Sequence, residues 1–128
     1  MTIYTKNLTE ELETIHRAVA ELCGWGSIKK IDTADGFTVF RGRLNNQTYL
    51  SFVPDYIVSI DAIWKAFEDL GYQNFQIAEC SYFSFNEKLN YEAFHVLKGL
   101  NDRKTSEVAN TPSLALCKLL LTLHKNNG

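Results

Sequence analysis

No stretch of this 128-residue sequence approaches the roughly 18 consecutive apolar residues that a membrane-crossing helix needs. The opening "MTIYTKNLTEELE" also lacks the basic start and apolar stretch of a secretory signal, so a soluble, unexported protein with no membrane contact is expected. Cysteine is scarce. Cys23, Cys80 and Cys117 are odd in number and far apart, which suits neither a disulfide framework nor a C-x-x-C metal pair and points to a reducing, cytoplasmic setting. Neither sign of charge is in excess. Thirteen basic against fifteen acidic residues leave a net charge of −2, so no whole-molecule field draws the chain to DNA, RNA or an anionic membrane, and any anion binding has to be local.

Chemical signatures are missing as well. There is no Walker loop, no G-x-G-x-x-G and no G-x-S-x-G, which removes the recognised phosphate-binding and acyl-transfer frameworks. His16, His95 and His124 are widely separated and lack metal-ligand spacing. His95 with Glu79 and Glu92 is the one grouping that could exchange protons, and no nucleophile is matched to it. The expectation is a protein that is not an enzyme and carries no cofactor.

What is present builds one ordinary core, since 45% of the residues are apolar and 12% aromatic. A single domain over residues 1–128 is expected, with a flexible loop near 98–110 and a short loose tail. Leu8, Leu12, Ile15, Val19 and Leu22 recur at helical spacing, Asn7 with Glu10 forms a capping-box pattern, and Gly24 marks the stop. From Ser27 to Phe52 the period changes to two, with turn pairs at Asp35-Gly36 and Asn45-Asn46, which predicts a three-stranded meander. With two-residue turns, Ile28, Phe37, Val39, Leu50 and Phe52 share one face, and Ile31, Phe40, Leu44 and Tyr49 the other.

After Ser59, a cap residue, Ile60, Ile63, Trp64, Phe67 and Leu70 trace a second helical stripe ending at Gly71; Leu70→Ala is expected to cost about 2–5 kcal/mol if that leucine is buried. "FQIAECSYFSF" and "NYEAFHVLKGL" predict two more strands. A third helix starts at Thr111 and Pro112, with Leu114, Cys117 and Leu121 on one face, widened by Leu116, Leu120 and Leu123. Cys117 among these leucines reads as a small apolar core group. The fold class is α+β, an antiparallel sheet sandwiched between helices, with three helices and about five strands.

The candidate binding residues come from "VFRGR". In a strand Arg41 and Arg43 point the same way, and a two-residue turn at Asp35-Gly36 puts Lys30 opposite Arg41. Clustered like charges on a sheet face are unfavourable unless carboxylates or a bound anion offset them. Glutamates of a neighbouring helix are the plain explanation, and an anion pocket is the functional one. Arg103 and Lys104 in the polar stretch, the helix start at Thr111, and Tyr82 and Tyr91 as stacking faces would complete such a pocket. Surplus apolar surface on a small two-faced sheet also suggests a homodimer or higher homo-oligomer.

"ELCGW" (21–25), "VPDYIVSIDAIWKAFEDLGY" (53–72) and "NTPSLALCKLLLTL" (110–123) together resemble the phage ABA-sandwich domain, a family of small phage and prophage proteins. The resemblance implies a helix–sheet–helix sandwich and a phage accessory protein acting in the cytoplasm of the host cell, without implying an activity. Joined to the basic cluster, it gives the expected function: non-enzymatic binding of a small anionic ligand, with a nucleotide signal sequestered as a counter-defence sponge as the sharpest version. The alternative is an interaction adaptor that acts on a host or phage protein without a small-molecule ligand.

Overall fold

A computed structural model describes residues 4–5, 8–45, 47–84, 87–96 and 104–127. Asn7, Asn46, Arg103 and the 98–103 part of the polar stretch lie outside the described residues, as do the side chains of Cys80, Tyr82 and Lys104. In chain order the elements are β1 (Tyr4–Thr5), α1 (Glu10–Leu22), β2 (Trp25–Asp32), β3 (Phe37–Leu44), β4 (Ser51–Phe52), α2 (Ile60–Asp69), β5 (Phe75–Ser84), β6 (Glu87–Val96), β7 (Lys104–Ala109) and α3 (Pro112–Asn127). The class is α+β with antiparallel pairing throughout. The strands divide between two sheets: β3 lies between β2 and the short β1 and β4 in the first, and β6 lies between β5 and β7 in the second. No helix of the described residues is long and apolar enough to cross a membrane.

The hairpin joining β2 to β3 decides which side chains face the core. Thr33 N–H donates to Phe37 O at 2.8 Å and Gly36 N–H to Thr33 O at 3.1 Å, with Gly36 at φ +83°, so the loop is the three residues Ala34, Asp35 and Gly36. A glycine in the left-handed region closes such a loop without a side-chain clash. The extra residue shifts the register by one, which turns β2 over relative to a two-residue turn. Lys29, not Lys30, therefore pairs with Arg41, and Lys30 pairs with Phe40. Ile28 joins the core side and Ile31 is left outside.

On the core side of this sheet, α1 is capped by Thr9, whose side chain accepts from Leu12 N–H at 3.2 Å, in place of the Asn7 box. Its buried residues are His16, Val19 and Ala20, while Leu12, Ile15 and Leu22 flank them half-buried. The helix is turned so that the His16 ring meets Phe40, with centroids 4.4 Å apart. Ser59 caps α2 as expected, by accepting from Ala62 N–H at 3.2 Å, and Gly71 ends it at φ +82°. Here the buried set is Ile63, Ala66 and Phe67, and Leu70 is 39% exposed. Leu70→Ala is therefore expected to cost about 1 kcal/mol, below the range for a buried leucine, as read from urea midpoints.

The polar stretch contains a strand. β7 pairs with β6 from Val96↔Lys104 to Tyr91↔Ala109, and Glu107 is satisfied by accepting from the Thr122 hydroxyl of α3 at 2.8 Å. Ala93 and Ala109 are fully buried under α3. Small residues there let the helix approach the sheet closely, and α3 packs on β6 and β7 while also touching α1 and α2. The helices α1 and α3 thus stack between the two sheets.

Candidate functional site

The basic residues separate into two groups once the register is fixed. Lys30 lies on the core side and its Nζ reaches Glu13 Oε1 of α1 at 3.0 Å, while Arg17 Nε meets Glu13 Oε2 at 3.2 Å. These two cations hold the Glu13 carboxyl below its ordinary range, Lys30 contributing most. For Lys30 the helix glutamate is the partner, so this residue does not join the Arg41 face.

On the opposite face of the sheet, cross-strand pairing and two-residue alternation bring Lys29, Arg41 and Arg43 together. Arg41 Nη2 donates to Leu50 O at 3.3 Å, and its guanidinium carbon sits 5.3 Å from the centroid of the Phe52 ring. Phe52 is its partner on β4. Arg41 Nε is buried and has no acceptor among the described residues. Nor does any described carboxylate come within ion-pair distance of Lys29, Arg41 or Arg43. Around these cations the apolar side chains Ile31, Phe37 and Phe52 are each about 40% exposed. The result is a partly exposed sheet face, basic in the middle and apolar at its sides, with Val39 buried among these side chains.

The remaining candidates lie elsewhere. Thr111 accepts from Leu114 N–H at 3.2 Å and so serves as the cap of α3. Tyr91 is half-buried against the core. Tyr82 pairs with Leu89 in β5–β6, and Lys104 begins β7, in the second sheet. Arg103 falls outside the described residues. For the proton-exchange grouping, strand alternation puts Glu92 on the opposite face from His95, whose ring instead stands edge-on to Tyr72 at 6.4 Å. The described residues contain no group of three metal-ligating side chains.

A second site was not anticipated. A cavity of about 550 Å³ opens between α2 and the base of the β2–β3 hairpin, with Trp25, Leu44 and Pro54 on one side and Ala62, Ala66 and Leu70 on the other. At its floor Trp25 Nε1–H donates to the Tyr56 hydroxyl at 3.2 Å, next to the Cys23 thiol. Burial pushes the Cys23 thiol and the Tyr56 hydroxyl up, so both stay neutral near pH 7. Cys117 donates to Tyr56 O at 3.2 Å, and burial raises its thiol in the same way. The signal for this place was in the sequence: the three stretches "ELCGW", "VPDYIVSIDAIWKAFEDLGY" and "NTPSLALCKLLLTL" meet around Tyr56. Comparisons with protein-family models, with curated proteins and with solved structures find no match for this chain.

Proposed function

We propose that this chain is a non-enzymatic interaction module that docks an acidic segment of a partner protein on the outer face of the first sheet. The observation that carries the reading is the set Lys29, Arg41 and Arg43, gathered with no carboxylate of the described residues in ion-pair reach, beside exposed Ile31, Phe37 and Phe52. Like charges at cross-strand spacing cost stability until something negative meets them. Arginine and aromatic residues packed together are also the usual energetic centre of a protein interface. An open face suits a partner segment better than a small molecule, which is held in a concavity. Self-association through this face is disfavoured, because a two-fold contact sets the same three cations against their copies. Joined to the sequence resemblance, the reading is a phage accessory protein acting as an adaptor in the host cytoplasm.

A second reading, a nucleotide or similar small anion on the same residues, is favoured by the buried Nε of Arg41, which has no acceptor among the described residues, beside the Phe52 ring. Replacing Arg41 and Arg43 together by alanine separates these readings. A fluorescent peptide alternating glutamate with aromatic residues should bind the parent in a salt-dependent way and bind the double variant more than tenfold more weakly, since each charged hydrogen bond contributes roughly 1.5–3 kcal/mol. The double variant should remain folded, its unfolding midpoint lowered only slightly by loss of the Arg41–Leu50 hydrogen bond. Retention of ATP in native mass spectra, lost in the double variant and without peptide binding, moves the assignment to the second reading. Binding of neither probe, or equal binding by both proteins, rejects the face as a site.

A further inference from the structure

We propose that the cavity between α2 and the base of the β2–β3 hairpin is a binding site for an uncharged, ring-containing small molecule. Its volume of about 550 Å³ lies within the roughly 300–1,000 Å³ of ligand pockets. The space exists because Ala62 and Ala66 occupy one row of α2, a turn apart, where larger side chains would fill it. Leu70 continues that row to the rim and leaves an apolar edge exposed. An apolar hollow left empty forfeits packing on its walls, and an apolar occupant restores those contacts.

The walls are also fixed in advance. Trp25 and Tyr56 are buried and joined by their hydrogen bond, so the indole and phenol rings that would face the occupant are already oriented. Gly24 contributes through what it lacks: a Cβ there would lie 2.3 Å from Asn45 Oδ1, and φ is +96°. Only glycine lets the Asn45 amide sit over the chain at the edge of the cavity, where it can offer one donor and one acceptor. The Tyr56 hydroxyl adds a second polar point at the floor. The two charges on the lining, Lys65 and Asp69, pair with each other at 3.7 Å at the solvent-facing side. They leave no net charge for an ion, and burying one without a counter-charge is costly. A planar molecule with a single polar edge satisfies these walls.

The test uses phenylnaphthylamine, a neutral dye that fluoresces in apolar surroundings. Trp64→Phe leaves Trp25 as the sole tryptophan of the two in the chain. Saturable dye emission with matching loss of Trp25 emission is the expected result. Ala62→Trp, which fills the cavity from a half-exposed position, should weaken binding at least tenfold. If circular dichroism shows that Ala62→Trp does not fold, Leu70→Trp at the exposed rim takes its place with the same expectation. The Arg41→Ala/Arg43→Ala variant should bind the neutral dye unchanged, which keeps this site separate from the outer sheet face. In that variant the sulfonated analogue of the dye should bind at least tenfold more weakly than the neutral one. Absence of saturable binding, equal binding by the filled variant, or equal affinity for the sulfonated dye overturns the proposal.

Discussion

Leu120→Ala should lower the stability of this protein by about 2–5 kcal/mol, toward the upper end of that range, with the urea midpoint falling and the slope unchanged. Leu120 is fully buried, as are Leu116 and Leu119 beside it. The helix that carries them rests on β6 and β7 and is also touched by α1 and α2, so the walls of a new void are held by elements anchored elsewhere and cannot collapse into it. Domains of this size have roughly 5–15 kcal/mol in total, so one such substitution removes a large share. Leu121→Ala, on the same helix but half-buried, should cost distinctly less, and Leu120→Met, which keeps volume, less than about 1.5 kcal/mol. Equal midpoints for the parent and Leu120→Ala would show that α3 is not the centre of the core.

That central place was only half legible in the sequence. The start of α3 was, because Thr111 and Pro112 carry local cap chemistry that needs no tertiary context. Its burial was underestimated. Leu114, Cys117 and Leu121 mark one face and Leu116, Leu120 and Leu123 widen it, yet Ala115 and Leu119 are fully buried as well, while Leu114 and Leu121 are only half-buried. Apolar residues on nearly every side of a helix mean a helix packed on several sides, a sign more informative here than the best single stripe. The single sheet expected from the strand count divides into two because β5–β7 pair among themselves and cover α3 from the other side. β7 has no strand signature in the sequence, since Lys104, Thr105, Ser106 and Glu107 carry almost no apolar signal, and its inward Glu107 is accommodated by the Thr122 hydroxyl.

The basic cluster was legible in kind but not in membership. One residue in the Ala34–Gly36 loop decides whether Lys30 or Lys29 meets Arg41, and Asp35-Gly36 is compatible with both loop lengths. Sequence alone therefore locates the charges on a hairpin and leaves their side open. The neighbourhood of the cavity was legible in the three stretches that meet around Tyr56, but the hollow itself was not. It depends on Ala62 and Ala66, residues whose contribution is the absence of side-chain atoms, and an absence has no periodicity to detect.

His16 supplies the second large effect, a loss of stability in mild acid. Its ring is fully buried on α1, 4.4 Å from Phe40 and 6.1 Å from Tyr56 between ring centroids. Burial pushes its pKa down from an ordinary 6.5 to about 4, with the Arg17 charge acting in the same direction and Glu13 partly opposing. The folded protein therefore takes up the proton later than the unfolded chain as pH falls. The neutral imidazole contributes its full stabilisation above the unfolded value of 6.5, and that contribution is lost on going down to about 4. Over the whole window it amounts to roughly 3 kcal/mol, of which about 2 kcal/mol should disappear between pH 7 and pH 5. Loss of the Glu13 ion pairs belongs to a lower window, below its ordinary 4.5, because that carboxyl is held down rather than up. Urea unfolding of the parent at the two pH values measures the slope, and His16→Leu, neutral at both, should flatten it even if the variant is less stable throughout. The comparison of slopes removes the part due to every other titrating group. Equal parental stability at pH 7 and pH 5, or the same slope in His16→Leu, would mean that the imidazole is protonated inside the fold without cost.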